Sequence, residues 1–110
     1  MKLPNNKDTN VSFEKLLNYL LSETHSVGKA KARFFRSLGY NDLNANLLKQ
    51  SLITIAQTED IKETITSPHG VKYIIEGVLQ TPRGDLINIR TIWIIDKGSE
   101  QPRFVTAYPI

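Results

Sequence analysis

The sequence predicts an α+β domain in which three N-terminal helices pack on one face of a roughly four-stranded antiparallel sheet. Apolar residues recur at helical spacing in the first half of the chain, and β-branched and aromatic residues dominate the second half. Short turns that contain glycine and proline divide the second half, which is typical of an antiparallel meander. The 110 residues fit a single domain over 1–110, with a helical half at about 10–57 and a sheet half at about 59–109.

Three segments have the apolar spacing of amphipathic helices. The first helix is expected to bury Phe13, Leu16, Leu17, Leu20 and Leu21. The second is predicted over 27–38, where Gly39 ends it. Its expected buried residues are Ala30, Phe34 and Leu38. The third begins after a cap at Asn41 or Asp42. Its expected buried residues are Leu48, Leu52, Ile55 and Ala56.

Four strands are predicted after the helices, and a period of two sorts their faces. The predicted strands are 61–66, 71–80, 85–96 and 103–108. In the longest strand, Ile89 and Trp93 share the side that is expected to pack on the helices. Arg90 then lies on the opposite side among isoleucines, where an arginine needs a partner, and Glu76 is one candidate.

The composition excludes several kinds of site. There is no cysteine, so we expect neither a disulfide nor a thiolate zinc site, and the two histidines, His25 and His69, are far apart in sequence. No P-loop, GxGxxG or GxSxG motif is present, and we expect no metal and no cofactor. The start, MKLPNNKD, has no apolar run, and no stretch approaches the roughly 20 apolar residues that cross a bilayer. We therefore expect a cytoplasmic protein with no membrane partner.

Positive charge is concentrated in one short segment. Residues 1–58 carry eight basic and four acidic residues, whereas 59–110 carry six basic and seven acidic residues. Between Glu23 and Asp42 there is no acid, and the basic residues are Lys29, Lys31, Arg33 and Arg36. Such a run attracts polyanions such as RNA, although short basic runs are also common on solvated helix faces.

The remaining polar residues can support phosphate chemistry without a metal. Cleavage of RNA needs a base for the 2′-OH proton, cations for the crowded phosphate and an acid for the leaving oxygen. Histidine titrates near neutral pH, lysine and arginine stabilise phosphate charge, and hydroxyls orient oxygens. The candidate catalytic residues are His25, Lys31, Arg90, Thr106 and Tyr108. Each also has a structural interpretation, because linker histidines are often capping or surface residues and helix lysines are often solvated.

The sequence resembles a family of small, uncharacterised bacterial domains over nearly its whole length, from Leu3 to Pro109. The matching segments are KLLNYLLSETHSVGKAKARFFRSLGY, GVKYIIEGVLQTPRGDLINIRTIWIID and PRFVTAYP. The shared pattern is LPN, Lys-Leu-x-x-Tyr-Leu-Leu, His-x-x-Gly-x-x-Lys-Ala-x-Phe-Phe, Thr-x-Trp and Thr-Ala-Tyr-Pro. Such domains are similar to the barnase–EndoU–colicin–RelE superfamily of metal-independent ribonucleases, many of which are toxins.

The resemblance implies a metal-independent endoribonuclease of toxin type. It assigns the family's histidine and lysine to His25 and Lys31, and leaves open which groups act as acid and base. Its remaining polar positions are Arg90, Thr91, Thr106 and Tyr108. The expected RNA-binding residues are Lys29, Arg33, Arg36 and Thr91.

The same resemblance implies partners. These are RNA and a cognate antitoxin or immunity protein, and the domain would be secreted only as part of a larger toxin. The alternative function is a non-catalytic module that binds nucleic acid or a partner protein in a toxin–antitoxin or adhesin-associated system. The two functions differ in one observable, because only the first predicts turnover of RNA.

Overall fold

The computed structural model describes residues 1–22, 24–26 and 29–110. A short 3-10 turn at Asn6–Asp8 precedes helix α1, Phe13–Lys15, which continues as a π-helix over Leu16–Leu20. Helix α2 is Lys29–Ser37 and helix α3 is Ala45–Thr58. If α1 and the π-helix are taken together as the first helical segment, the described part of the chain has the three N-terminal helices that the sequence predicts.

The C-terminal half is one antiparallel sheet. Its strands are β1, Glu63–Ser67; β2, Gly70–Gln80; β3, Leu86–Asp96; and β4, Arg103–Pro109. They are ordered β1-β2-β3-β4, so each strand pairs with the next one along the chain. The mixed α+β fold with a four-stranded antiparallel sheet is therefore confirmed, and the strand bounds differ from the predicted ones by two residues or fewer.

The core joins one side of the sheet to the helices. Ile89 and Trp93 of β3 are fully buried, as the period of two predicts, and they lie in one cluster with the buried face of α3. The α3 residues in that cluster are Leu48, Leu52, Ile55 and Ala56. Helix and sheet approach closely at Gly77 of β2, where an added Cβ would stand 2.9 Å from Cγ2 of Ile55. A side chain at this position would require Ile55 of α3 to shift.

The first helical segment buries a narrower stripe than predicted. Leu16, Leu20 and Leu21 are fully buried, but Phe13 and Leu17 are 46% and 36% exposed. The expectation that these last two residues are buried is wrong. Leu17 lies in the π-helical turn, which holds more residues than an α-helical turn and so changes the phase of the apolar spacing. Phe13 lies in α1, before that turn.

The buried face of α2 also differs from the prediction. Ala32 and Phe35 are fully buried, whereas Ala30 is exposed and Phe34 is only partly buried. Adjacent residues on a helix point in different directions, so Phe35 is fully buried, with its ring 6.5 Å from that of Tyr40 between centroids, whereas Phe34 packs against the same core from a partly buried position. The predicted start of this helix at residue 27 lies outside the described residues.

Helix α2 ends where the sequence predicts, but helix α3 begins later than predicted. Gly39 has φ 104°, a left-handed conformation that ends α2 as expected. Helix α3 begins at Ala45, later than the cap at Asn41 or Asp42 implies. The Asn41 side chain instead accepts the backbone N–H groups of Leu43 and Asn44, at 2.8 Å and 3.1 Å. It stabilises the turn that leads into the helix.

Strand β4, at the edge of the sheet, contains a β-bulge, and the N-terminal segment lies along part of its outer side. The β3–β4 pairing passes from Ile92 opposite Thr106 to Trp93 opposite Phe104, so Val105 is the extra residue of a β-bulge. On the free side of β4, Asn10 accepts the N–H of Phe104 and donates its own N–H to Pro102, each at 3.1 Å. The N-terminal segment therefore lies along the start of this edge strand.

Candidate active site at the edge of the sheet

An open cleft of about 430 Å³ lies where the first helical segment meets β4. Two aromatic residues, Tyr19 and Phe104, line it, and of these Phe104 is almost fully buried. The polar and charged side chains that line the cleft include Asn10, Glu14, Lys15, Asn18, His25 and Arg103. His25 therefore faces a concave surface that could hold a small polar ligand.

Tyr19 connects several of the predicted site residues. The His25 ring packs edge-on against the Tyr19 ring, with 5.1 Å between centroids. The Tyr19 hydroxyl shares a hydrogen bond of 3.0 Å with the Thr106 hydroxyl on β4. Lys31 places its ammonium 6.0 Å from the Tyr19 ring centroid. Three of the five predicted catalytic residues thus meet around a tyrosine that the sequence prediction does not name.

Lys15 is a second residue that the sequence prediction does not include. Its ammonium lies 4.4 Å from the centroid of the Tyr19 ring, within cation–π range. Its backbone N–H is held by the side chain of Ser12, which caps α1. The signal that could have revealed Lys15 and Tyr19 is their i, i+4 spacing in the motif KLLNYLL, which places both on one side of a helix. We call Lys15, Tyr19, His25, Lys31 and Thr106 the cleft group.

The cations of the cleft group are not neutralised by the described part of the chain. Neither Lys15 nor Lys31 has an acidic partner among the described residues. Arg103, also on the cleft, differs because its Nε donates to Asp96 Oδ2 at 2.6 Å and its Nη2 to Asp96 Oδ1 at 2.9 Å. Those hydrogen bonds lower the pKa of the Asp96 carboxyl. The positive charge offered to an anion comes mainly from the two lysines.

The other two predicted catalytic residues lie together on the side of the sheet opposite the buried residues Ile89 and Trp93. Arg90 and Tyr108 are cross-strand partners on β3 and β4. Arg90 Nε donates to Glu76 Oε2 at 2.9 Å, across the β2–β3 pair. This hydrogen bond lowers the pKa of Glu76, and Lys62, 3.7 Å from Glu76 Oε1, acts in the same direction. We call Glu76, Arg90 and Tyr108 the sheet-face group.

The two groups are neighbours along β4. Thr106 belongs to the cleft group and Tyr108 to the sheet-face group, and two residues of strand span about 7 Å. Both residues pair with the same side of β3, at Ile92 and Arg90. The structure therefore brings His25, Lys31 and Thr106 together, and places Arg90 and Tyr108 next to them as a separate, internally paired set.

A family model for a domain of unknown function, DUF6883, matches residues 2–110. The chain belongs to the DUF6883 family. Among solved structures, a chain of a contact-dependent growth inhibition toxin–immunity protein complex from Klebsiella pneumoniae 342 has a similar fold, with a TM-score of 0.72 and 20% identity over 94% of this chain and 95% of that chain. No curated protein matches the sequence. At this identity the structural likeness concerns the fold of the DUF6883 domain.

The predicted RNA-binding residues of the DUF6883 domain occupy three kinds of position. Lys29 and Arg33 are exposed on α2. The Arg36 side chain is engaged inside the protein, because its Nε donates to the Leu21 carbonyl and its Nη2 to Asp42, both at 2.8 Å. Thr91 is fully buried and is enclosed by the core. Its Oγ1 donates to the Ile75 carbonyl and accepts from Trp93 Nε1.

Other classes of site are not built by the described residues. Across 1–22, 24–26 and 29–110, no cluster of His, Asp and Glu side chains could hold a metal ion. In the same ranges, no helix is long and apolar enough to cross a membrane. His69 lies exposed in the turn between β1 and β2, remote in sequence from the elements that form the cleft.

Proposed function

We propose that this DUF6883 domain is a metal-independent endoribonuclease of toxin type, with its active site in the cleft beside β4. One observation carries the proposal. A histidine lines a concave surface together with a lysine, a second lysine stands close by, and neither lysine is neutralised among the described residues. Histidine can transfer protons at neutral pH, and free ammonium groups can stabilise a phosphate. The fold shared with a chain of a toxin–immunity complex supports the toxin context.

In this proposal, His25 transfers a proton during attack of the ribose 2′-oxygen on the adjacent phosphorus. The attack forms a 2′,3′-cyclic phosphate and breaks the P–O5′ bond, so one proton leaves the 2′-OH and one reaches O5′. His25 can serve either step, and a neighbouring group serves the other. Lys15 and Lys31 stabilise the added negative charge on the phosphate. Thr106, held by the Tyr19 hydroxyl, orients a phosphate oxygen.

Arg90 and Tyr108 form the adjacent part of the proposed RNA surface. Arg90 already binds Glu76, so it contacts a phosphate only in competition with that carboxylate. Lys29 and Arg33, exposed on α2, contribute long-range attraction rather than specific contacts. Because Thr91 is enclosed by the core, it is left out of this surface. The described contacts of Arg36 assign it a structural role.

The direct test is RNA cleavage in excess EDTA by the wild-type protein and by His25→Ala. The matched control is His69→Ala, which removes the other histidine from an exposed turn. We expect wild type and His69→Ala to cleave equally, and His25→Ala to be slower by roughly 10²- to 10⁴-fold. Circular dichroism verifies that each variant is folded. Equal cleavage by wild type and His25→Ala, or no cleavage of varied RNAs by any of the proteins, contradicts the proposal.

A second candidate function is a non-catalytic module that binds RNA or a partner protein in a toxin–immunity system. It is favoured by the single histidine among the described cleft residues, since RNA cleavage needs two proton transfers. The chain of similar fold belongs to a complex of toxin and immunity protein, which makes an immunity or antitoxin partner the natural one for this domain. This function predicts salt-sensitive RNA binding, or a stable protein complex, without turnover. In either case we place the site of action in the cytoplasm, with delivery, if any, as part of a larger toxin.

A further inference from the structure

We propose that the cleft binds a single nucleotide of an unpaired RNA strand, with Lys15 at its phosphate and the amides of Asn10 and Asn18 at the edge of its base. The inference rests on the proposed function for the choice of RNA as ligand, but it does not require cleavage. It assigns a recognition role to the part of the cleft that lies away from the proposed proton transfer.

The two asparagines provide the chemistry that reads a base. A carboxamide offers a donor and an acceptor together, which matches the paired donors and acceptors on a base edge. Within the described residues, neither the Asn10 nor the Asn18 side chain makes a hydrogen bond, so both amides are available. The backbone of Asn10 is fixed by two hydrogen bonds to the start of β4. One of the two amides is thus displayed from a rigid position.

The distribution of charge in the cleft favours one orientation of the nucleotide. Lys15 lies over the Tyr19 ring, beside His25, and supplies an unneutralised ammonium. Glu14, also on the cleft wall, repels a phosphate placed near it. The anionic part of the ligand is therefore expected at the Lys15 ammonium and away from the Glu14 carboxylate. Arg103, which lines the cleft together with Lys15, is already paired with Asp96.

The size of the cleft fits a single base. Its volume of about 430 Å³ is within the range of small-ligand sites, roughly 300–1,000 Å³. Of the two aromatic residues that line the cleft, Tyr19 is partly exposed, whereas Phe104 is almost fully buried and packs edge-on against Trp93, at 5.4 Å between centroids. Sequence-specific RNA recognition mostly uses bases that are splayed out of the strand, placed against aromatic side chains and bound at their edges. A single base of an unpaired strand meets these conditions.

The test measures binding rather than cleavage. Four single-stranded RNAs, identical except for one central base, carry 2′-O-methyl groups so that no 2′-oxygen nucleophile is present. Fluorescence anisotropy gives the affinity of each RNA for wild type, Asn10→Ala, Asn18→Ala and Lys15→Ala. The matched control is Asn46→Ala, which removes an exposed asparagine from α3, outside the cleft.

We expect wild type to prefer one or two of the four bases. Asn10→Ala and Asn18→Ala should reduce that preference roughly fivefold or more, the scale of a lost base-edge contact. Lys15→Ala should weaken all four RNAs alike, and Asn46→Ala should match wild type. No base preference in wild type, or equal weakening of all four RNAs by both asparagine variants, overturns the inference.

The same measurement separates this inference from the nuclease proposal. Base preference that depends on Asn10 and Asn18, without cleavage of unmodified RNA, supports the nucleotide site and contradicts the nuclease. Cleavage of unmodified RNA by wild type, with a base preference that both asparagine variants retain, supports the nuclease and overturns the nucleotide site.

Discussion

The cleft group and the sheet-face group lie side by side along β4, and each places a cation next to a tyrosine. The two groups differ in whether an acidic side chain pairs with the cation. Arg90 of the sheet-face group shares a hydrogen bond with Glu76, whereas Lys15 and Lys31 of the cleft group have no acidic partner among the described residues. A paired cation mainly stabilises its own surroundings, and an unpaired one is available to an incoming phosphate. The neighbouring acid, more than the residue type, thus separates the two roles.

The largest effect that tests this comparison is on RNA affinity. Removal of both cleft lysines in Lys15→Ala/Lys31→Ala should weaken binding roughly tenfold or more at low salt, because two phosphate contacts are lost. The slope of log Kd against log salt concentration should also fall by about 1.4, since each contact to a single strand contributes about 0.7. Titration of labelled RNA at several salt concentrations measures both quantities.

The matched control removes the same amount of charge elsewhere. Arg83→Ala/Lys97→Ala takes one exposed cation from each of two turns, and neither residue has an acidic partner in the described ranges. This variant should retain nearly the wild-type salt slope. An equal loss of slope in both double variants would mean that net charge, rather than the cleft, governs binding.

A smaller effect is expected at the hydrogen bond that joins the cleft to β4. Tyr19→Phe keeps the ring that contacts His25 but removes the hydroxyl that pairs with Thr106. The free energy of unfolding, measured by urea denaturation, should fall by about 0.5–1.5 kcal/mol. In a double-mutant cycle with Thr106→Val, the two losses should be less than additive. Additive losses would show that the two hydroxyls do not interact in solution.

Removal of the acid of the sheet-face group should make Arg90 behave like the unpaired lysines of the cleft group. Glu76→Gln leaves Arg90 with a neutral neighbour, so RNA affinity should rise a few-fold as Arg90 becomes available to phosphate. Glu59→Gln, an exposed substitution of the same charge change at the end of α3, is the control for net charge. An equal gain in both variants, or no gain in either, would contradict the competition between Glu76 and phosphate for Arg90.

The smallest expected effect concerns stability at acid pH. The hydrogen bond from Arg90 lowers the pKa of Glu76 in the folded protein. The unfolded state therefore takes up the proton first, and the stabilisation is complete above the ordinary carboxyl pKa of about 4.3 and is lost as the pH falls towards the lower folded value. Melting temperatures of wild type and Glu76→Gln should converge as the pH falls through that range. If the difference in melting temperature between the two proteins stayed constant over this pH range, the ion pair would not be the cause of that difference.

Most of the architecture follows from the spacing of residues in the chain. A period of two identifies β3 and its buried residues Ile89 and Trp93, because each strand residue alternates between the faces of a sheet. The helical period finds the buried stripe of α3 in the same way. The buried faces of the first helical segment and of α2 are less well predicted. The residues that these segments bury depend on the π-helical turn and on which of two adjacent phenylalanines is fully buried.

For the candidate site, the amino-acid sequence specifies the kinds of side chain that are present. It supplied a histidine, basic residues around it, a strand arginine and closing hydroxyls, which are suited to phosphate chemistry. Which of these side chains lie next to one another follows from the way the helices and strands pack. His25, Lys31 and Thr106 all lie next to Tyr19. Arg90 pairs with Glu76, and Thr91 is enclosed by the core. The reason is physical: local spacing fixes the face of a helix or strand, but contacts between distant residues arise only when those faces pack together.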